Sequence, residues 1–296
     1  GLFNSDLSGW DVSSVTNMKD MFTNMEIDFD ITSWDVSSVT DMQGLFQSQT
    51  NFDQDLSGWD VSSVTNMNRL FYNAEAFNQD LSSWDVSSVT NMNELFTNTY
   101  SFEGHGLEIW DVSNVTNMNN MFRTTYVFNG NISDWDVSKV EYMSNMFRNT
   151  QAFNQDLSAW DTSSLFQAYS MFQEATAFNG NVSGWDLSGL DYHGISSMFR
   201  DADSFEGHGM ETWNVSNLTR MDFAFYGADV FNADLSSWDV SSATKMDFMF
   251  KNAALFNSDL SGWDVSSVTD MSNMFYGAGL FNSDLSGWDV SSVTNM

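Results

Sequence analysis

The chain has 296 residues, 9 lysines and arginines against 40 aspartates and glutamates, and a net charge of −31. That balance lacks the basic footprint required by nucleic acid and anionic membrane surfaces. There is no cysteine and no proline, so disulfides, thiolate zinc sites and cysteine nucleophiles are excluded, and no run is apolar enough to cross a membrane.

Self-similarity decides the architecture. All 12 tryptophans, from Trp10 and Trp34 to Trp263 and Trp288, fall in one column. They recur about every 25 residues, which predicts about twelve stacked repeats. The best copies read Phe-Asn-x-Asp-Leu-Ser-x-Trp-Asp-Val-Ser-Ser-Val-Thr-Asn-Met-x-x-Met-Phe, as in Phe77 to Phe96 and Phe256 to Phe275.

In chain order, Leu7 and Trp10 bracket a short extended stretch, which predicts a strand. Asp11, Ser13, Ser14, Thr16 and Asn17 follow, residues that cap a helix N-terminus or fold an Asx-turn. Val15, Met18, Met21 and Phe22 then recur at the spacing of one face of a short helix. Arg123, Arg148, Arg200 and Lys251 each follow the phenylalanine of that segment, where they suit the negative end of a helix dipole. The expectation is an α/β solenoid spanning 1–296 as one continuous array. Each repeat adds one short parallel β-strand and one short helix, and Trp10, Trp59, Trp84, Trp263, Met67, Phe71, Phe96 and Phe275 stand for its buried columns.

Polar columns are given structural roles first. Asn78, Asn154 and Asn257 follow the repeat phenylalanine and are expected to form an internal ladder, each amide bonding the backbone of the next turn. An aspartate follows the tryptophan in almost every repeat. Asp11, Asp60 and Asp85 represent this column, in which Asp-x-Ser favours backbone capping. Calcium bridging the stacked carboxylates is the runner-up and the one cofactor considered.

His105 and His208 sit in related insertions, Phe102 to Glu108 and Phe205 to Glu211. They are the remaining metal candidates, although a polar bulge is the plainer reading. They lie four repeats apart, about 19 Å at sheet spacing, too far to share an ion. Residues 162–211 hold the largest departures from the repeat. No catalytic constellation emerges, and no enzyme is expected.

The phrase Trp-Asp-Val-Ser-Ser-Val-Thr-Asn-Met-x-x-Met-Phe, as in Trp59 to Phe71 and Trp263 to Phe275, resembles the BspA-like leucine-rich repeat of bacterial surface proteins. The resemblance runs through essentially the whole chain. It implies a leucine-rich-repeat-like solenoid outside the cell, with a structural or adhesive role and no shared catalytic residues. The alternative is a ligand-binding module for a glycan or a surface protein, stabilised by calcium. Residues 1–18 recur unchanged at 279–296. With no capping repeat visible, this leads to a further expectation of end-to-end self-association into a fibre or surface array.

Overall fold

The computed structural model describes residues 5–296. Successive repeats do lie on one another, but not through the expected elements. Among the described residues there is no α-helix and no extended strand. Two 3₁₀ turns, Leu107–Ile109 and Met210–Thr212, are the helical elements. Isolated parallel bridges join the repeats, running from Asn17–Asp41 through Asn66, Asn91, Asn117 and Tyr142 to Gln167, and again from Arg220–Lys245 to Asp270–Asn295. The α/β solenoid with a strand and a helix in each repeat is therefore incorrect. The repeats are coils of consecutive turns.

The coil containing Met67 shows why a helical pattern folds otherwise. Met67, Leu70, Phe71 and Ala74 have helical spacing, and all are buried. Their backbone hydrogen bonds alternate. Leu70, Tyr72 and Ala74 N–H groups donate three residues back, to Met67, Arg69 and Phe71, at 3.1, 3.1 and 3.0 Å. Met67, Arg69, Phe71 and Asn73 N–H groups instead donate to the next coil, to the carbonyls of Asn91, Asn93, Leu95 and Thr97, at 2.9 to 3.0 Å.

Arg69 and Asn73 take positive φ, 57° and 56°, and so break any helix. Each such residue costs about 1–2 kcal/mol, offset here by the N–H groups released to the neighbouring coil. Asparagine tolerates this conformation well, and Asn24, Asn73, Asn98, Asn149 and Asn252 recur at the second of the two sites.

Aromatic columns set the interior. Phe46, Phe71, Phe96 and Phe122 stack in sequence with centroids 5.6, 5.6 and 5.8 Å apart. Phe77 lies against Phe71 at 4.0 Å, and each column contributes offset-stacked contacts. Trp110 and Trp135 stack at 6.5 Å with planes 4° apart. Of the expected core, Trp59, Trp84, Trp263, Met67, Phe71 and Phe96 are buried. Trp10 departs from the expectation at 54 % exposure, because it belongs to the first described coil and is covered on one side alone. Phe275 is partly buried.

Candidate interaction surface

Side chains of the polar columns are largely engaged in fixing turns within a coil or in joining one coil to the next. Asp11 Oδ1 accepts from the Ser13 N–H at 3.1 Å and from its hydroxyl at 2.6 Å. Asp60 does the same with Ser62 at 3.0 and 2.6 Å, and Asp85 accepts from the Ser87 N–H at 3.0 Å. These are Asx-turns at coil corners and not helix caps. The serine side-chain hydrogen bond, then the backbone one, holds Asp11, Asp35, Asp60 and Asp85 below the ordinary carboxylate range, against weaker repulsion between column neighbours such as Asp11 and Asp35.

The asparagines bond in the predicted direction but at the surface, so the expectation of an internal ladder is corrected. Asn78 Oδ1 accepts from the Glu103 N–H at 3.0 Å, Asn154 Oδ1 from Asn179 at 2.8 Å and Asn257 Oδ1 from Asn282 at 2.8 Å. These sites lie at the exposed corner, where water competes for the amides.

Two further ladders escaped the sequence reading. From Trp34 onward each tryptophan Nε1–H donates to a carbonyl of the preceding coil, as from Trp59 to Ile31 and Trp84 to Leu56, both at 3.1 Å. Buried Thr99, Thr125 and Thr150 replace the repeat alanine, and their hydroxyls donate to Phe71, Phe96 and Phe122 carbonyls at 2.9, 2.8 and 2.7 Å. Polar residues in an apolar column were the available signal.

His105 lies between Gly104 (φ 95°) and Gly106 (φ 83°), and His208 between Gly207 (φ 96°) and Gly209 (φ 90°). A Cβ on Gly106 or Gly209 would collide with the backbone of the preceding coil, so each bulge requires its glycine. His105 Nε2 is 3.2 Å from Glu103 Oε2, and His208 Nε2 is 3.6 Å from Glu206 Oε2, with all four side chains exposed. Among the described residues no three histidine, aspartate or glutamate side chains converge as a metal site. Asp11, Asp60 and Asp85 belong to separate coils and bond their own serines.

The basic residues after the repeat phenylalanine face no helix terminus, which corrects the dipole argument. Arg200 lies over Phe223 and Tyr226 at 5.5 and 5.0 Å, and Lys251 over Phe248 and Tyr276 at 5.0 and 5.1 Å. Arg148 is 3.8 Å from Glu174. Their attraction is to aromatic faces and neighbouring carboxylates.

The surface changes character between Glu141 and Asp222. Elsewhere this corner carries threonines whose hydroxyls donate to the preceding threonine carbonyl, as Thr65 to Thr40 at 3.2 Å. Here Phe166 occupies the threonine position, 44 % exposed, and Tyr192 lies in an inserted turn, 67 % exposed. Tyr142 meets Phe166 edge-on at 6.1 Å. His193 packs against Tyr192 at 3.9 Å and Tyr169 at 4.9 Å.

Asp191 accepts from Gln167 Nε2 at 2.8 Å, with His193 Nδ1 at 3.0 Å. Burial pushes its carboxyl upward most strongly, but the hydrogen bonds from His193 and Gln167 together prevail and leave it lowered. Beyond them Arg220 forms two 2.8 Å bonds to Asp222.

The coils and their ladders define a repeat protein. The family model described as "Mycoplasma protein of unknown function, DUF285" matches residues 2–105, 95–206 and 193–296, and the chain belongs to that family. The family unit is thus about 100 residues, several coils long, so three such units replace the expected twelve independent repeats as the family's own division. No curated protein matches the chain.

Similar solved structures include the Toll–Spatzle complex of Drosophila, with 11% identity over 87% of this chain and 43% of that one, at a TM-score of 0.28. The functional domain of InlJ from Listeria monocytogenes has 12% identity over 90% and 59%, at 0.27. The leucine-rich repeat domain of APL1B has 10% over 83% and 69%, at 0.21. This chain spans less than half the length of the Toll-complex chain. No helix among the described residues is long and apolar enough to cross a membrane.

Proposed function

We propose that the protein is a non-enzymatic repeat protein of the BspA-like surface type, displayed outside the cell in a structural or adhesive role. The observation carrying this reading is the use of the polar columns. Asparagine, threonine and tryptophan side chains hold coils together along the stack, through bonds such as Asn154 to Asn179 and Trp59 to Ile31, while the aspartates fix the turn within each coil. Side chains used in this way build a scaffold whose length scales with repeat number. The acidic surface supports the same reading, since high net charge keeps an extended scaffold soluble.

Protease shaving of intact source cells, followed by detection with an antibody to this segment, tests the location. The expected result is loss of the segment while a cytoplasmic marker survives. Protection until the cells are lysed would overturn the reading.

A further inference from the structure

We infer that the aromatic band formed by Tyr142, Phe166, Tyr169 and Tyr192 is a binding site for a neutral polysaccharide strand, with Gln167 and Arg220 supplying hydrogen bonds. This rests on the adhesive half of the function proposed above.

Three observations converge on the band. First, it replaces structure with exposure. Coils on either side are joined by bridges ending at Gln167 and resuming at Arg220, and no bridge joins Gln167 to the next coil among the described residues. At the same place Phe166 and Tyr192 turn their rings to water. Neither ring fills the interior, where Phe172 and Phe199 continue the column at 5.3 Å. Stability alone does not account for large apolar groups at a corner that threonine serves elsewhere.

Second, the chemistry is mixed in the way a polyhydroxyl ligand needs. Flat rings offer apolar faces to the C–H surface of a sugar ring. The hydroxyls at its edge require donors and acceptors together. The Gln167 amide, which carries both a donor and an acceptor, and the Arg220 guanidinium supply them, and bonds of 2.8 Å to Asp191 and Asp222 already orient the two side chains. Ordering them before the ligand arrives lowers the entropic cost of binding.

Third, the charge selects a neutral ligand. The Arg220 guanidinium is matched by Asp222, and no other cationic side chain of the band is left unpaired to hold an anionic ligand. The chain as a whole carries −31, which repels an anionic polymer. A cationic one would find the aspartate column, outside the band. The band also follows the stacking direction. Phe166 N–H donates to Glu141 O at 2.8 Å and Asp191 N–H to Phe166 O at 2.9 Å, so its members belong to consecutive coils. An elongated surface of this kind fits a strand and not a single sugar.

Native gels cast with a neutral β-glucan, xylan, galactomannan or dextran, and with alginate as the anionic counterpart, read the binding directly. Retardation by at least one neutral polymer and none by alginate is expected. The double variant Phe166→Thr with Tyr192→Ser should lose the retardation while its calorimetric Tm stays within a few degrees of the parent, which shows that the scaffold persists. Migration unchanged in every neutral gel would overturn the inference. So would retardation by alginate, or a variant retarded as strongly as the parent. A concentration-dependent dimer abolished by the same variant would also overturn it, by assigning the band to a second copy of the chain. Surface exposure on intact cells is measured separately, so a failure here leaves the scaffold reading standing.

Discussion

The coil from Trp59 to Ala74 and the coil from Trp185 to Ala202 differ in almost everything visible from outside and in almost nothing inside. The first keeps the repeat, with Thr65 and Asn66 at its corner and a bridge on each side. The second carries Asp191 in place of threonine and an inserted turn at Tyr192 and His193. Within it, Phe199 still stacks between Phe172 and Phe225 at 5.3 and 5.9 Å. Trp185 still stacks on Trp213 at 6.1 Å and donates to Leu157 O at 3.0 Å. Interior columns fix the spacing of coils, and the corner turn absorbs the insertion. A surface can therefore change without altering the stack that presents it.

Truncating the interior should break both coils alike. Phe71→Ala and Phe199→Ala each remove a fully buried ring and should each destabilise by about 3–5 kcal/mol, measured by urea unfolding of the whole chain. If Phe199→Ala costs less than half as much as Phe71→Ala, the interiors are not equivalent and the comparison fails.

A smaller effect separates packing from the hydrogen-bonded ladders. Trp59→Phe keeps an aromatic ring but removes the 3.1 Å indole N–H bond to the Ile31 carbonyl. Thr125→Val is nearly isosteric and removes a 2.8 Å bond to Phe96 O. Each should cost about 1–3 kcal/mol in the same unfolding assay. Values near zero would assign the cohesion of the coils to ring stacking alone.

Acid should act on the corners in two opposed ways. Asp11, Asp35, Asp60 and Asp85 have folded-state values lowered by their serines. Their stabilisation is present above the unfolded value, about 3.9, and is lost as pH falls through the lower folded values. Asp201, Asp203 and Asp247 are raised, first by desolvation and then, for Asp203 and Asp247, by neighbouring carboxylates. Their ionised forms weaken the fold at neutral pH, and that penalty is relieved as pH falls through the raised values. The Tm should hold or rise slightly on mild acidification and drop below about pH 4. A Tm falling steadily from pH 7 would mean that the Asx-turns do not govern the response.

The repeat, its period and its interior columns were legible because burial imposes identity on Trp, Phe and Met at fixed spacing. The secondary structure was not. Met67, Leu70, Phe71 and Ala74 carry a helical period, and a periodicity argument reports which residues face inward without reporting where the N–H groups go. The missed signal was the asparagine or glycine just before the small residue of many coils, as at Asn73 and Gly227, both at positive φ. Residues suited to that conformation, recurring inside an apparent helix, indicate turns. The aspartate turns were legible from Asp-x-Ser, since the bond is local. The aromatic band was not, because Phe166 and Tyr192 belong to different coils, and an insertion shifts one against the other.

The smallest effect is also the one that bears most directly on the difference between the two coils. Phe166→Thr restores the repeat residue at an exposed corner. The ring gives up one edge contact with Tyr142 at 6.1 Å, worth about 0.5–1.5 kcal/mol when fully formed and less at this exposure. In return the threonine hydroxyl can donate to the Glu141 carbonyl, as Thr65 does to Thr40 and Thr90 to Thr65, both at 3.2 Å, and an exposed apolar surface is removed from water. The two changes nearly cancel, so stability should move by no more than about 0.5 kcal/mol, with a Tm equal to the parent or slightly above it in calorimetry. A loss above about 1 kcal/mol would make Phe166 a structural residue of the coil, and its exposure would then need no ligand to explain it.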